Sequence, residues 1–247
     1  IACKNQIIFL TSEYYSRTWV SVIGEYYISM WILPQPVDIT PLKGLDLPDP
    51  IKAILARRGF SDIYAAEKFI YTKDPSDPLF EFPGLHAAVK RLKEACLNSE
   101  SIAICGDYDA DGMTSAALLA RTLKSLGSNP IISIPDRLTD GYGINVEMVN
   151  SLHARNIKLI VTVDNGINAI DAIKRATTLS MDMIITDHHH FDGPAPQVLS
   201  LIHPLTTPSQ SPYRDLAGVG LAYILSLTLG KEMNKIDSTY IARDLFC

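Results

Sequence analysis

The stretch Ile102-Ala-Ile-Cys-Gly-Asp-Tyr-Asp-Ala-Asp-Gly112 joins a short apolar run to three aspartates at alternate positions. The apolar residues predict a buried β-strand, and the apolar periodicity after Gly112 predicts a helix. Asp107, Asp109 and Asp111 are so close together that their ionised carboxylates repel one another. A divalent cation is the usual counter-charge for such a cluster, so this strand end is predicted to begin a metal site.

Beyond this stretch, apolar strands alternate with amphipathic helices. That alternation is typical of a doubly wound α/β domain, in which helices cover both faces of a mostly parallel sheet. Five strands are predicted, at 102–105, 130–134, 159–163, 183–186 and 198–202. Four helices are predicted with them, at 113–126, 146–155, 169–179 and 216–233.

Polar residues follow four of the predicted strands, at the carboxyl ends where such sheets bind ligands. One aspartate after a strand is commonly only a helix N-cap, but four such strand ends together predict a shared site. The residues concerned are Asp107, Asp109, Asp111, Asp136, Arg137, Asp140, Asp164, Asp187, His188, His189 and His190. Carboxylates with one or two imidazoles favour Mn²⁺ or Mg²⁺ over a structural zinc. Two such ions support in-line phosphoryl displacement, so the residues predict metal-dependent hydrolysis of a phosphate ester.

Two other interpretations of the first motif fail. The spacing Asp107-x-Asp109-x-Asp111-Gly112 begins like a calcium-binding EF-hand loop, but the twelfth position is Leu118 where that loop needs a bidentate glutamate. An EF-hand also needs a helix before the loop, where this chain has a predicted strand. A dinucleotide-binding loop is excluded because no Gly-x-Gly-x-x-Gly follows the strand.

Composition bounds the class of protein. The 247 residues are 47% hydrophobic and 20% charged, which is typical of a globular protein. The net charge of −5 argues against nucleic-acid binding through overall charge, although a local basic groove is compatible with it. The four scattered cysteines fit a reducing compartment. Without an evident membrane span or secretory signal, the sequence predicts a cytoplasmic protein with no membrane association.

Three regions are predicted. Residues 1–29 lack clean periodicity and are interpreted as a non-native or upstream extension, 30–98 as a helical N-terminal region, and 99–247 as the α/β domain. In the helical region, Ser61 is expected to cap the second helix. The third helix carries basic residues that form either a solvated face or one wall of a nucleic-acid groove, namely Lys90, Arg91 and Lys93.

Five motifs then occur in one order and at compatible spacings. They are Gly106-Asp-Tyr-Asp-Ala-Asp-Gly-Met-Thr-Ser115, Ile134-Pro-Asp-Arg-Leu-Thr-Asp-Gly-Tyr-Gly143, Thr162-Val-Asp-Asn-Gly166, Thr186-Asp-His-His189 and Ala217-Gly-Val-Gly220. From about Trp31 onward the chain closely resembles the DHH phosphoesterase superfamily, specifically its RecJ-type single-stranded-DNA exonucleases. The resemblance implies a nuclease with two Mn²⁺ or Mg²⁺ ions that digests single-stranded DNA from the 5′ end in DNA repair and recombination.

The resemblance also implies roles for the acids and for one histidine. Asp109 looks like a ligand of one metal ion and Asp111 like a ligand of the other. Asp164 resembles the carboxylate that bridges them, and His188 a ligand of the second ion. Asp107 is either a further metal ligand or a neighbour of the ligands.

The resemblance further implies residues that contact the substrate and one that orients them. His189 resembles a residue that contacts the scissile phosphate, and Asp187 would orient the histidine pair. Arg137 would clamp a phosphate with its planar guanidinium. Gly218 and Gly220 open a helix whose N-terminus holds a phosphate or, equally, permit close helix–sheet packing. His190 and His203 are not expected to be ligands.

The chain departs from the family pattern in two places. Many members have a metal-binding histidine where this chain has Cys105. A further metal-binding aspartate and the DHH-associated domain that grips nucleic acid are expected after the Ala-Gly-Val-Gly helix, but neither is present in the 247 residues. The domain is therefore expected to be incomplete and its activity weakened. Two alternatives stay open: a hydrolase of short oligonucleotides, cyclic dinucleotides or pyrophosphate, and an inactive nucleic-acid-binding module.

Overall fold

The computed structural model describes residues 35–71, 78–136 and 141–235, together with the backbone of two short N-terminal strands. The chain divides into two compact units, Ile1–Lys73 and Asp74–Cys247. This division precedes the predicted boundary between residues 98 and 99. No helix among the described residues has both the length and the apolarity that a membrane crossing requires.

The first unit contains an antiparallel strand pair and two short helices. Its elements are β1 (Val20–Ile23), β2 (Tyr26–Ser29), α1 (Asp49–Arg57) and α2 (Ile63–Ile70). A small core includes Leu42, Leu45, Leu55 and Ala66. The N-cap of α2 is Asp62, whose carboxylate accepts a hydrogen bond from the Ala65 amide at 2.8 Å. The expected cap, Ser61, is therefore wrong by one residue, because Asp62 directly precedes the helix and its side chain reaches the free amide.

The second unit is built on one five-stranded sheet. Its elements are α3 (Leu85–Leu97), β3 (Ile102–Cys105), α4 (Ala110–Ser125), β4 (Ile131–Ser133), α5 (Val146–Ala154), β5 (Leu159–Val163), α6 (Ile170–Thr178), β6 (Asp182–Thr186), β7 (Ser200–Ile202) and α7 (Gly218–Glu232). The strand order is β4-β3-β5-β6-β7, and every neighbouring pair is parallel. The predicted doubly wound α/β fold is confirmed.

Alternate residues of β3 face the two layers of helices. Ile102 and Ile104 belong to the core under α3, α4 and α7, whereas Ala103 and Cys105 belong to the core under α5 and α6. All four β3 residues are buried, as expected for a strand that is covered on both faces.

Helix α3 packs within the second unit, although the sequence analysis placed it in the N-terminal region. Its apolar stripe lies in the core that also contains residues of α7. Arg91, on the same helix, donates to both oxygens of Glu100 at 2.9 and 2.6 Å and to Asp182 at 2.6 Å. These bonds engage the Arg91 guanidinium inside the protein, so Arg91 is neither a solvated cation nor a free groove contact.

The order of the strands in the sheet determines where a ligand crevice can form. The first strand of the unit, β3, lies between β4 and β5, so the chain leaves β3 toward one side and returns on the other. The connections diverge at the carboxyl ends of β3 and β5, and such a switch point opens a crevice for ligands. The three crowded aspartates follow β3, and Asp164 follows β5.

Candidate metal centre

Asp164 lies at the centre of the crevice. Its backbone has φ +63°, a left-handed conformation that aspartate tolerates better than most residues, and its amide donates to the Thr186 carbonyl at 2.9 Å. The residue is 1% exposed, and neither carboxylate oxygen accepts a hydrogen bond from the described part of the chain. Burial first, and then the charges of Asp111 and Asp109, raise the pKa of Asp164 to about 8.

The first motif supplies a cluster of acids beside Asp164. Oxygens of Asp107, Asp109 and Asp164 lie within 4.8 Å of one another. Asp109 caps α4 by accepting from the Gly112 amide at 2.9 Å, and Asp107 accepts from the Tyr108 amide at 2.7 Å. Burial, followed by the Asp109 charge, raises the pKa of Asp107. The cluster therefore favours a cation, because three ionised carboxylates at this spacing repel one another.

Asp164 also belongs to a second potential ligand cluster, with His188 and His189, whose donor atoms meet the same 4.8 Å limit. Nε2 of His188 lies 3.1 Å from Oδ1 of Asp164 and 3.5 Å from Oδ2 of Asp111. One carboxylate common to two clusters is the arrangement that a pair of metal ions needs. The geometry is compatible with the predicted bridging role of Asp164.

Asp111 makes contacts that the sequence did not predict. Its two oxygens accept hydrogen bonds from the Gly218 and Val219 amides, at 2.8 and 2.7 Å. These amides form the N-terminus of α7, where a negative charge is favourable. Asp111 thus occupies the helix end that the sequence analysis considered as a phosphate site.

Gly218 and Gly220 differ in their surroundings. A Cβ on Gly218 would lie 2.5 Å from Oδ1 and 2.7 Å from Cβ of Asp164, which is too close for any side chain. A Cβ on Gly220 would approach only the Leu216 side chain, at 3.0 Å or more. Gly218 therefore permits the backbone of α7 to pass directly over Asp164, whereas Gly220 faces the side chain of Leu216, just before the helix.

Asp187 organises the loop after β6. This carboxylate is 1% exposed and accepts from the amides of His188 and His189 at 2.7 and 3.1 Å, from the Ile167 amide at 2.9 Å, and from Nδ1 of His189 at 2.8 Å. It therefore fixes the loop and the His189 ring, whereas of His188 it contacts the backbone amide, so the predicted orientation of the histidine pair is seen for one ring.

Tyr142 completes the surroundings of His189. Its hydroxyl lies 3.1 and 3.0 Å from the two ring nitrogens of His189 and 3.1 Å from the Asp164 carbonyl oxygen, to which it donates. Burial lowers the pKa of His189, but the Asp187 hydrogen bond and the neighbouring carboxylates outweigh burial, so the pKa is raised overall. Tyr142 lies within the motif Asp140-Gly-Tyr-Gly143, and the sequence alone predicted no role for it.

Asn165 is a second residue whose role was missed. The fully buried side chain donates to the carbonyls of Cys105 and Val163, at 3.0 and 2.9 Å, and accepts from the Ile144 amide at 3.1 Å. It therefore ties the ends of β3 and β5 to the loop that carries Tyr142.

The remaining candidates lie elsewhere. Cys105 is buried in the core under α5 and α6, where burial raises the pKa of its thiol to about 12, so it does not replace a metal-binding histidine. His190 is exposed and lies 3.2 Å from Asp192. Arg137 and Asp140 lie outside the described residues.

A cavity of about 130 Å³ opens beside His189. Its lining comes from the loop before α5, the loop before α6 and the loop after β6, namely Tyr142, Gly143, Ile144, Gly166, Ile167, Asn168, Ala169, Asp187 and His189. The cavity gives His189 an open side next to the two ligand clusters.

The part of the chain that carries these site residues is similar to known proteins. The family described as "DHH family, N-terminal domain" matches residues 101–245. The single-stranded-DNA-specific exonuclease RecJ of Bacillus subtilis is 39% identical over 203 residues, which cover 81% of this chain and 25% of that protein. The Escherichia coli RecJ is 37% identical over 194 residues, or 78% of this chain and 33% of that protein.

A solved structure agrees with these matches. The crystal structure of an exonuclease RecJ bound to manganese is similar with a TM-score of 0.58 and 34% identity, covering 63% of this chain and 39% of that one. This chain thus spans about a quarter to a third of the two sequence relatives and two-fifths of the structural one.

Proposed function

Because the chain belongs to the DHH family, we propose that its second unit is the metal-dependent core of an exonuclease that digests single-stranded DNA from the 5′ end. The observation that carries this proposal is the pair of ligand clusters that share Asp164. A carboxylate common to two clusters suits two ions that act together on one phosphate. Activity and substrate are inferred for this chain from proteins of which its match covers only 25% and 33%.

The donor atoms fit manganese or magnesium. Burial and the neighbouring acids disfavour the charge of Asp164 despite the contact of Oδ1 with Nε2 of His188, so its ionised form needs a cation. Asp107 and Asp109 would hold one ion and His188 the other, with Asp164 between them. Asp111 remains a proposed ligand through the lone pairs that the α7 amides leave free. When bound, such a pair would lower the pKa of an attacking water and neutralise charge that develops on the phosphoryl oxygens.

His189 is inferred to contact the scissile phosphate. Its ring faces the cavity, and its raised pKa favours the imidazolium form, which attracts a phosphate oxygen. Asp187 holds this ring through Nδ1, and the Tyr142 hydroxyl lies 3.0 Å from Nε2 and 3.1 Å from Nδ1. Phosphate clamping by Arg137 and phosphate binding near Gly218 and Gly220 remain part of the proposal.

Single-stranded DNA is the proposed substrate because the similar proteins are specific for it. The net charge of −5 requires that binding depend on local contacts rather than on overall charge. A cytoplasmic location and a role in DNA repair and recombination belong to the same proposal. The free, buried thiols of Cys96 and Cys105 are compatible with a reducing compartment.

The direct test is digestion of 5′-labelled single-stranded DNA by the 247-residue chain. We expect labelled mononucleotide to appear with Mn²⁺ and not with EDTA, and duplex DNA of the same sequence to resist. Calorimetric titration should detect Mn²⁺ binding. Absence of both binding and cleavage would refute the proposal. Faster cleavage of di- and trinucleotides than of long strands would favour a short-oligonucleotide hydrolase, and strand binding without turnover would favour a binding module.

Tyr142→Phe tests whether the hydroxyl beside His189 contributes to turnover. The change removes one oxygen from contact with His189 and Asp164 and leaves the ring in place. We expect kcat to fall roughly tenfold, with Tm unchanged to within roughly 2 °C. Tyr64→Phe, on an exposed part of α2, is the matched control. Equal kcat values for the two variants would show that the hydroxyl has no role.

A further inference from the structure

His203, directly after β7, is fully buried and uses both of its ring nitrogens. Nδ1 accepts a hydrogen bond from the Leu205 amide at 3.1 Å. An accepting nitrogen carries no proton, so the proton of the neutral ring is on Nε2. Nε2 lies 2.9 Å from the carbonyl oxygen of His189 and donates to it. The Phe191 ring packs edge-on against the imidazole, with centroids 5.1 Å apart.

The bond from His203 reaches the residue whose ring faces the candidate metal centre. Asp187 already holds His189 through its amide at 3.1 Å and through ring Nδ1 at 2.8 Å. His203 holds the carbonyl of the same residue, on the opposite side of its Cα. A residue fixed at its N–H, its C=O and its ring has little freedom to rotate, so its side chain keeps one direction.

We propose that His203 is a positioning residue, whose Nε2–H···O=C bond sets the direction of the His189 side chain toward the substrate phosphate. This inference rests on the proposed function, because the direction of His189 affects turnover only if His189 contacts the phosphate. His203 itself belongs to neither ligand cluster and is not among the residues that line the cavity. It acts through the peptide of His189.

The two ring nitrogens of His203 have separate tasks. The bond from Leu205 to Nδ1 caps the short 3₁₀-helix Pro204–Thr206 and concerns local stability. The bond from Nε2 to His189 concerns the site. Two substitutions separate these tasks, because the amide oxygen of asparagine takes the place of Nδ1 and the amide nitrogen of glutamine takes the place of Nε2.

His203→Asn should keep the cap and lose the bond to His189, whereas His203→Gln should lose the cap and keep that bond. With Mn²⁺ and 5′-labelled single-stranded DNA, we expect kcat of His203→Asn to fall roughly 10- to 100-fold with little change in KM. His203→Gln should recover most of the lost kcat. The Tm values should have the opposite order to the kcat values, with the Tm of His203→Asn closer to that of the wild type than the Tm of His203→Gln. A purely structural residue would give the same order in both measurements.

A spectroscopic measurement separates this inference from the proposed function. The proton that Nδ1 of His189 donates to Asp187 should give a downfield NMR resonance in the metal-free protein, assigned by its loss in His189→Gln. We expect it in the wild type and in His203→Gln, and expect it broadened or lost in His203→Asn. If the wild type does not hydrolyse DNA, the proposed function fails and this resonance still tests the positioning. Equal resonances in His203→Asn and the wild type would overturn it.

Discussion

Asp164→Asn is expected to stabilise the metal-free protein and to abolish its binding of Mn²⁺. The Asp164 carboxylate is buried beside other acids, and these effects outweigh its contact with Nε2 of His188 at 3.1 Å, so its charge opposes folding. Asparagine removes that charge, keeps the shape and tolerates the left-handed backbone at φ +63°. At pH 8 and without metal, Tm should rise by roughly 3–6 °C. Mn²⁺ affinity, measured by calorimetry, should fall more than roughly 100-fold, since the loss of even an outer partner of a metal ligand costs about 10- to 100-fold.

The gain in stability should depend on pH in a defined direction. The pKa of Asp164 is about 8 in the folded protein, against roughly 4 for an unfolded aspartate. The folded state therefore binds more protons between these values, and the contribution of Asp164 to stability falls as the pH rises through that window. The Tm difference between Asp164→Asn and the wild type should be near zero at pH 4 and largest above pH 8.

Asp171→Asn provides the matched control. Asp171 is exposed in the first turn of α6, 3.9 Å from Lys174, and should show neither the pH-dependent gain nor the loss of Mn²⁺ binding. A lower Tm for Asp164→Asn at pH 8 would contradict the view that this buried charge opposes folding. Unchanged Mn²⁺ affinity would remove Asp164 from the metal site.

The sequence predicted the central strands better than the edges of the sheet. β3 and β5 match the predicted ranges residue for residue, because both are mostly apolar, fully buried strands that pair on both sides. β4 and β7 are each two residues shorter than predicted. Both are edge strands that pair along one side only. The predicted apolar residues at their ends therefore lie beyond the last hydrogen bond to the neighbouring strand. The apolar stripe of α3 was also visible, but periodicity does not reveal which surface a stripe covers.

The site could be predicted only as far as local sequence determines it. The acids and histidines were found because they follow strands, and the carboxyl ends of parallel strands share one edge. The contacts that organise those side chains come from distant segments. Asp111 binds amides 107 and 108 residues away, and the Tyr142 hydroxyl contacts His189, 47 residues away. His203 was predicted only not to be a ligand, since nothing in its local sequence indicates the bond to His189.

Gly218→Ala is expected to destabilise the protein and weaken its metal site together. The added Cβ would lie 2.5 Å from Oδ1 of Asp164, whose amide is fixed by the Thr186 carbonyl. The first turn of α7 must therefore move, and its two hydrogen bonds to Asp111 must lengthen. Overpacking of this kind costs about 2–3 kcal/mol, which corresponds to a fall in Tm of roughly 4–10 °C. Mn²⁺ affinity should fall at least roughly tenfold, because Asp111 and Asp164 are displaced together.

Gly220→Ala separates close packing from substrate binding at the same helix end. Its Cβ would approach Cδ2 of Leu216 to 3.0 Å, an atom that can move, and would make ordinary contact with the rest of that side chain. Alanine also favours a helix by up to about 1 kcal/mol over glycine. Tm and Mn²⁺ affinity should therefore be unchanged or slightly higher. A higher KM for DNA in Gly220→Ala, with normal stability, would support a phosphate at this helix end. Equal losses of stability in Gly218→Ala and Gly220→Ala would contradict this interpretation. The close approach to Asp164 would then not explain the glycine at position 218.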